Sequence, residues 1–168
     1  RATARVLQAN GCEVVIPRAQ GCCGAIHYHS GSSDPAVAMA MKNVDAFPDD
    51  LDAVVVNVAG CGSMLKDYGH MGEETPGVSA DAVAALSKFS GRVRDVSEFL
   101  AELGLREPTG VVPWRVTYHD ACHLAHAQGV RQAPRELLKQ VPGLELIPLP
   151  ESDICCGAAG RGSAGRAA

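Results

Sequence analysis

Two copies of one short motif carry the reactive chemistry of this chain, Cys22-Cys23-Gly24 and Cys155-Cys156-Gly157. Each follows an apolar run that ends in Ile-Pro, Val14-Val15-Ile16-Pro17 in the first and Leu146-Ile147-Pro148 in the second. Two more cysteines complete the pattern, Cys61 after the first doublet and Cys122 before the second. Between Cys23 and Cys61 lie 37 residues, and between Cys122 and Cys155 lie 32. Such spacings exceed any single turn of chain, so these thiols share a centre only if a fold gathers them. Thiolates are soft, anionic ligands suited to iron–sulfur clusters or to tetrahedral zinc. A glycine behind the doublet lets the backbone approach an inorganic core without a side chain in the way. The plain alternative is that cysteine acts as a small buried residue. Repetition in matching context argues against that for the doublets, and less strongly for Cys61 and Cys122.

The remaining candidates weigh less. Cys12 opens an apolar run without a partner motif and reads as a core residue. Met64, three residues after Cys61, reads as a core residue rather than a thioether ligand. His119 and His123 flank Cys122, where they could support or replace a ligand or simply face solvent. His27 and His29 follow the first doublet in the same ambiguous way. Glu73-Glu74 and Asp49-Asp50 read as solvated turn charges.

The elements that position the cysteines follow from composition and pattern. In 168 residues, 46% are hydrophobic and only 4% aromatic, so Val, Ala and Leu must build the core. That suits strands buried between helices. A formal net charge of -4 gives no electrostatic basis for binding nucleic acid. No run of 18 apolar residues and no export signal occurs, and the seven cysteines are an odd number, so a secreted disulfide framework is not indicated.

Periodicity predicts a helix over residues 3–9, stopped by Asn10-Gly11, then a strand over 12–16. Asp34-Pro35 starts a helix to about residue 46. Residues 53–59 form the best strand and lead straight to Gly60-Cys61. A short helix over 64–68, a loop over 69–75 and a long helical stretch divided near Gly91 follow. Strands over 115–119 and 144–149 bracket a helix over 134–141. The units helix, strand, proline, loop and doublet superpose in the two halves, an internal duplication. The expected fold is α/β, duplicated Rossmann-like units with mainly parallel sheet and cysteines at the carboxyl ends of strands, where ligands sit in open α/β sheets. Residues 161–168, rich in Gly, Ala, Arg and Ser, read as a disordered or non-native tail.

The doublets, Val58-Ala59-Gly60-Cys61-Gly62-Ser63-Met64 and Tyr118-His119-Asp120-Ala121-Cys122-His123 together resemble the cysteine-rich CCG domain. That domain occurs in heterodisulfide reductases of the B type, lactate-utilisation proteins, anaerobic glycerol-3-phosphate dehydrogenases and glycolate oxidase iron–sulfur subunits, and the pattern is most similar to the C-terminal part of the last. The resemblance covers nearly all of the chain to about residue 160. It divides the chain into a first CCG repeat over 1–105, its leading cysteine expected upstream of Arg1, and the start of a second over 106–160, its final motif expected beyond Ala168. It implies Cys22, Cys23, Cys61, Cys122, Cys155 and Cys156 as metal ligands for a 4Fe-4S type cluster in the full-length subunit. It implies an electron-transfer role without catalysis of its own, beside FAD-containing oxidase subunits that oxidise a 2-hydroxy acid such as glycolate. The acceptor would be membrane-associated, the location cytoplasmic at the inner face of the membrane. The competing readings are a zinc-binding structural or docking module and a thiol–disulfide enzyme using Cys22 and Cys23. The latter suffers from the lack of a Cys-x-x-Cys motif.

Overall fold

The computed structural model describes residues 1–154. Helix α1 (Ala2–Ala9) buries Leu7 and ends as Asn10-Gly11 predicts. Gly11 N–H donates to Gln8 O at 3.0 Å and Cys12 N–H to Leu7 O at 3.1 Å, the paired bonds that close a helix at a left-handed residue. After a loop come α2 (Ala25–His29) and α3 (Ser33–Ala46), then β1 (Val54–Val56), α4 (Ala59–Lys66), α5 (Tyr68–Glu74) and α6 (Ala80–Gly91). Strand β2 (Val93–Asp95) runs directly into α7 (Val96–Leu103). The rest comprises β3 (Arg115–Thr117), a π-helical turn at His123–Ala127, α8 (Ala133–Lys139) and β4 (Glu145–Ile147).

The α/β character and the parallel pairing hold. The sheet itself is divided: β1 pairs parallel with β2, and β3 with β4, as two separate two-stranded sheets. The register sets Val54 opposite Val93 and Val116 opposite Leu146. Within each pair the intervening helices provide the crossover that parallel strands require.

Four expectations change. Residues 12–16 join neither sheet. Their apolar side chains find no strand to lie beside, and Val15 and Ile16 stay 47% and 67% exposed. Of the two segments that the expected duplication superposes, the second forms its strand and the first, among the described residues, does not. Residues 69–75, read as loop from their glycines, are mostly helix α5. Gly69 and Gly72 are there because α6 lies so close: a Cβ on Gly69 would stand 2.6 Å from Ser87 Oγ and 3.1 Å from Ser87 Cα. The helix after residue 91 is interrupted by β2, whose three residues also fit a helical face. And the strand over 53–59 narrows to three residues, since α4 already begins at Ala59.

The core lies among α3, α4, α5, α6 and β1–β2, built from Ala36, Ala40, Val54, Met64, Tyr68, Met71, Leu86, Phe89 and Val93. Cys23 belongs to the same cluster. Asp95 caps α7 in a reciprocal box with Glu98, whose carboxylate also meets Lys66 of α4 at 2.6 Å. Among the described residues no helix is long and apolar enough to cross a membrane.

Candidate metal centre

The first doublet is held where the loop enters α2. Gly24 is the residue before that helix, in the left-handed region at φ 82°. A Cβ there would lie 3.2 Å from Ala36 Cα and O, so α3 and the backbone conformation together demand glycine. This differs from the expected reason, room for an inorganic core. The turn also aims Gly24 N–H at Cys22 Sγ, 3.5 Å away.

Cys22 is exposed and Cys23 buried. Cys61 arrives from the first turn of α4 rather than from a loop, because that helix starts three residues after β1 ends. Cys61 packs against the core cluster that contains Cys23, and both Cys61 and Cys22 bear on the Cys23 thiol electrostatically. Burial pushes the Cys23 thiol up to about 12, with Cys61 and Cys22 adding to the rise while the Ala25 backbone N–H opposes it. At neutral pH Cys23 is therefore a protonated thiol, and a metal must displace that proton to bind it. Neither Cys22 nor Cys23 is in a disulfide.

Two residues that pattern reading passed over hold the doublet's backbone. Asn43 of α3 accepts from Gly21 N–H at 2.8 Å and donates to Cys22 O at 3.1 Å. Tyr68, at the start of α5, donates to Cys23 O at 3.0 Å and accepts from Asn43 Nδ2 at 3.1 Å. A polar residue in line with Ala36 and Ala40 on the buried side of α3 was the available signal for Asn43. Tyr68 lies four residues past Met64, on the same family-like stretch as Cys61, which does not mark the role of its hydroxyl.

The second set is only partly within the described residues, since Cys155 and Cys156 fall outside them. Cys122 immediately precedes the π-helical turn, a rare geometry that gathers at functional sites. Its Sγ lies 3.4 Å from His123 Nδ1. His119 Nε2 contacts Ile154 O at 2.9 Å. Asp120 and Arg135 form a two-pronged ion pair with both distances at 2.7 Å, and Ser152 Oγ donates to Asp120 Oδ2 at 2.9 Å. Asp120 N–H also donates to Ser152 O at 2.7 Å. The Arg135 hydrogen bonds hold the Asp120 carboxyl down at about 2, against the opposing effect of burial. Arg135 further stacks over Tyr118, 4.9 Å from the ring centre.

The two sets sit on adjoining elements: α4 packs on the π-helical turn, and Gln128 Nε2 donates to Ala59 O at 2.9 Å. Met64 is buried in the core, as expected, whereas Cys12 is only half-buried and not among the core residues. His27 and His29 lie on α2, half-buried and exposed. Among the described residues no group of three or more His, Cys, Asp or Glu side chains is already spaced to hold a metal ion. The donor chemistry nonetheless fits an iron–sulfur group: soft thiols from two elements, a backbone N–H directed at one sulfur, and an apolar wall behind another.

Comparison with known proteins agrees with that donor set. The profile of the CCG family, described as a cysteine-rich domain, matches residues 1–66 and 116–167. The chain is 40% identical over 162 residues to a probable glycolate oxidase iron-sulfur subunit of Bacillus subtilis, covering 95% of this chain and 36% of that protein. It is 37% identical over 161 residues to lactate utilization protein A of Geobacillus kaustophilus, covering 95% and 65%. It is 40% identical over 158 residues to an iron-sulfur protein of Methanocaldococcus jannaschii, covering 93% and 28%. The chain thus spans less than two thirds of the length of each of these relatives. No solved structure matches it. On the strength of a profile that spans both cysteine-bearing segments, this chain belongs to the cysteine-rich CCG domain family.

Proposed function

We propose that this chain is the cysteine-rich part of an iron–sulfur electron-transfer subunit, in a flavin-dependent oxidase or dehydrogenase of a 2-hydroxy acid such as glycolate. The observation that carries the reading is that α4 brings Cys61 against the core cluster that holds Cys23, with Cys22 next to it in the chain. Cys22, Cys23 and Cys61 would hold one 4Fe-4S type group, and Cys122, Cys155 and Cys156 would contribute to a second. These follow the two repeats, 1–105 and 106–160, each a Rossmann-like half in this reading. When bound, the iron–sulfur group supplies one-electron redox chemistry at a fixed potential.

The chain's own residues bind, shield and tune. Cys23 gives up its proton on binding, and the apolar core behind it keeps water from that sulfur. Gly24 N–H offers Cys22 Sγ a hydrogen bond that favours the anionic sulfur. Oxidation of the hydroxy acid would belong to an FAD-containing partner subunit, and electrons would leave toward a membrane-associated acceptor on the cytoplasmic side.

Anaerobic iron, zinc and acid-labile sulfide analysis of the full-length protein tests this, with Cys22→Ala and Cys155→Ala alongside. The expected result is brown protein with iron and sulfide, each variant losing part of both. Colourless protein with stoichiometric zinc would replace this reading with a zinc-held structural module, and unchanged iron in both variants would remove the site assignment.

A further inference from the structure

We propose that Asn43 and Tyr68 are positioning residues of the first thiol set, fixing the backbone of Cys22 and Cys23 so that their sulfurs face Cys61. The inference rests on the reading that these cysteines hold a metal group. Among the described residues, no backbone–backbone hydrogen bond holds Gly21, Cys22 or Cys23. Their peptide groups are held instead by two side chains from the core, Asn43 at 3% and Tyr68 at 0% exposure. Every hydrogen bond these side chains make ends on the doublet segment or on one another. The Asn43 amide uses its oxygen toward Gly21 and its nitrogen toward both Cys22 O and the Tyr68 hydroxyl, so its orientation leaves no freedom to turn.

Core packing fixes the other end. The Tyr68 ring stacks on Phe89 at 5.8 Å between centres, and Asn43 is set in the last turn of α3, on its buried side with Ala36 and Ala40. The doublet is therefore indexed to α3 and to the α5–α6 pair, while Cys61 is indexed to α4. A phenylalanine at position 68 would fill the same space in the core. The hydroxyl is there for the Cys23 carbonyl. Outer partners of this kind orient metal ligands, and their loss typically weakens metal retention by about tenfold or more.

The test uses Tyr68→Phe and Asn43→Leu in the full-length protein purified anaerobically, with Cys23→Ala as reference. Three quantities are read: iron release to a chelator, midpoint potential of the bound group, and the alkylation rate of Cys23 relative to Cys22 in metal-free protein. We expect Tyr68→Phe to keep the wild-type circular dichroism spectrum while iron leaves about tenfold faster. The potential should shift, and Cys23 should lose its protection relative to Cys22. Should Asn43→Leu fail to fold, Tyr68→Phe alone decides. Wild-type iron release, potential and Cys23 protection in Tyr68→Phe, with Cys23→Ala losing iron, would overturn the positioning role and leave the metal site standing. Full iron retention in Cys23→Ala would instead overturn the site itself, and this inference with it.

Discussion

At the scale of single residues, neighbours decide protonation more than intrinsic chemistry does. Cys23 is kept neutral by its apolar surroundings, whereas Asp120 is kept charged by a two-pronged guanidinium. The Asp120 carboxyl sits at about 2 in the fold, below the ordinary carboxylate value of about 3.9. A depressed carboxylate contributes stability that is fully present above its unfolded value and is lost as pH falls through the folded one. In metal-free protein, unfolding titrations should therefore lose roughly 1–2 kcal/mol at Asp120 between about pH 4 and pH 2, allowing for screening at the partly exposed Arg135. Asp120→Asn should remove that part of the pH dependence. An unaltered acid limb in the variant would show that the ion pair does not couple to folding.

At the scale of elements, sequence pattern located what local chemistry alone determines. The Asn10-Gly11 stop and the division near Gly91 read directly from the chain, and the helix expected from Asp34-Pro35 forms, though it starts at Ser33 with Ser32 rather than Asp34 before it. Elements set by tertiary contact did not. Residues 12–16 have every local mark of a strand, yet a strand is a relation between two segments, and among the described residues none pairs with this one. Helix α5 failed in the opposite sense: its two glycines signal a loop to propensity, while in the fold they are the contact surface for α6. That contact is testable. Gly69→Ala improves helix propensity but places a methyl group against Ser87, so we expect net destabilisation of about 1–3 kcal/mol in thermal or urea unfolding. Equal or greater stability would mean that the α5–α6 approach is looser than described.

At the scale of the whole molecule, the cysteine pattern was legible because it repeats, and its support was not. The doublets and their partner cysteines could be read from spacing alone, but not that Cys61 rides on a helix or that, among the described residues, no strand leads into Cys22. Asn43 and Tyr68 could not, since their partners are backbone atoms in a segment distant in sequence, which no motif records. The division into two small parallel sheets was equally hidden, because each strand is only three residues long. What unites the molecule is α4, which carries Cys61, packs on the turn behind Cys122 and is tied to α7 through Lys66 and Glu98. The account's central claim is that sulfurs from separate elements grip one metal group. A crystal structure of the anaerobically purified full-length protein, with anomalous scattering recorded at the iron edge, tests it most directly. We predict an iron peak bonded to Cys22, Cys23 and Cys61 together. Those three sulfurs ordered without iron, or bonded to separate metals, would contradict it.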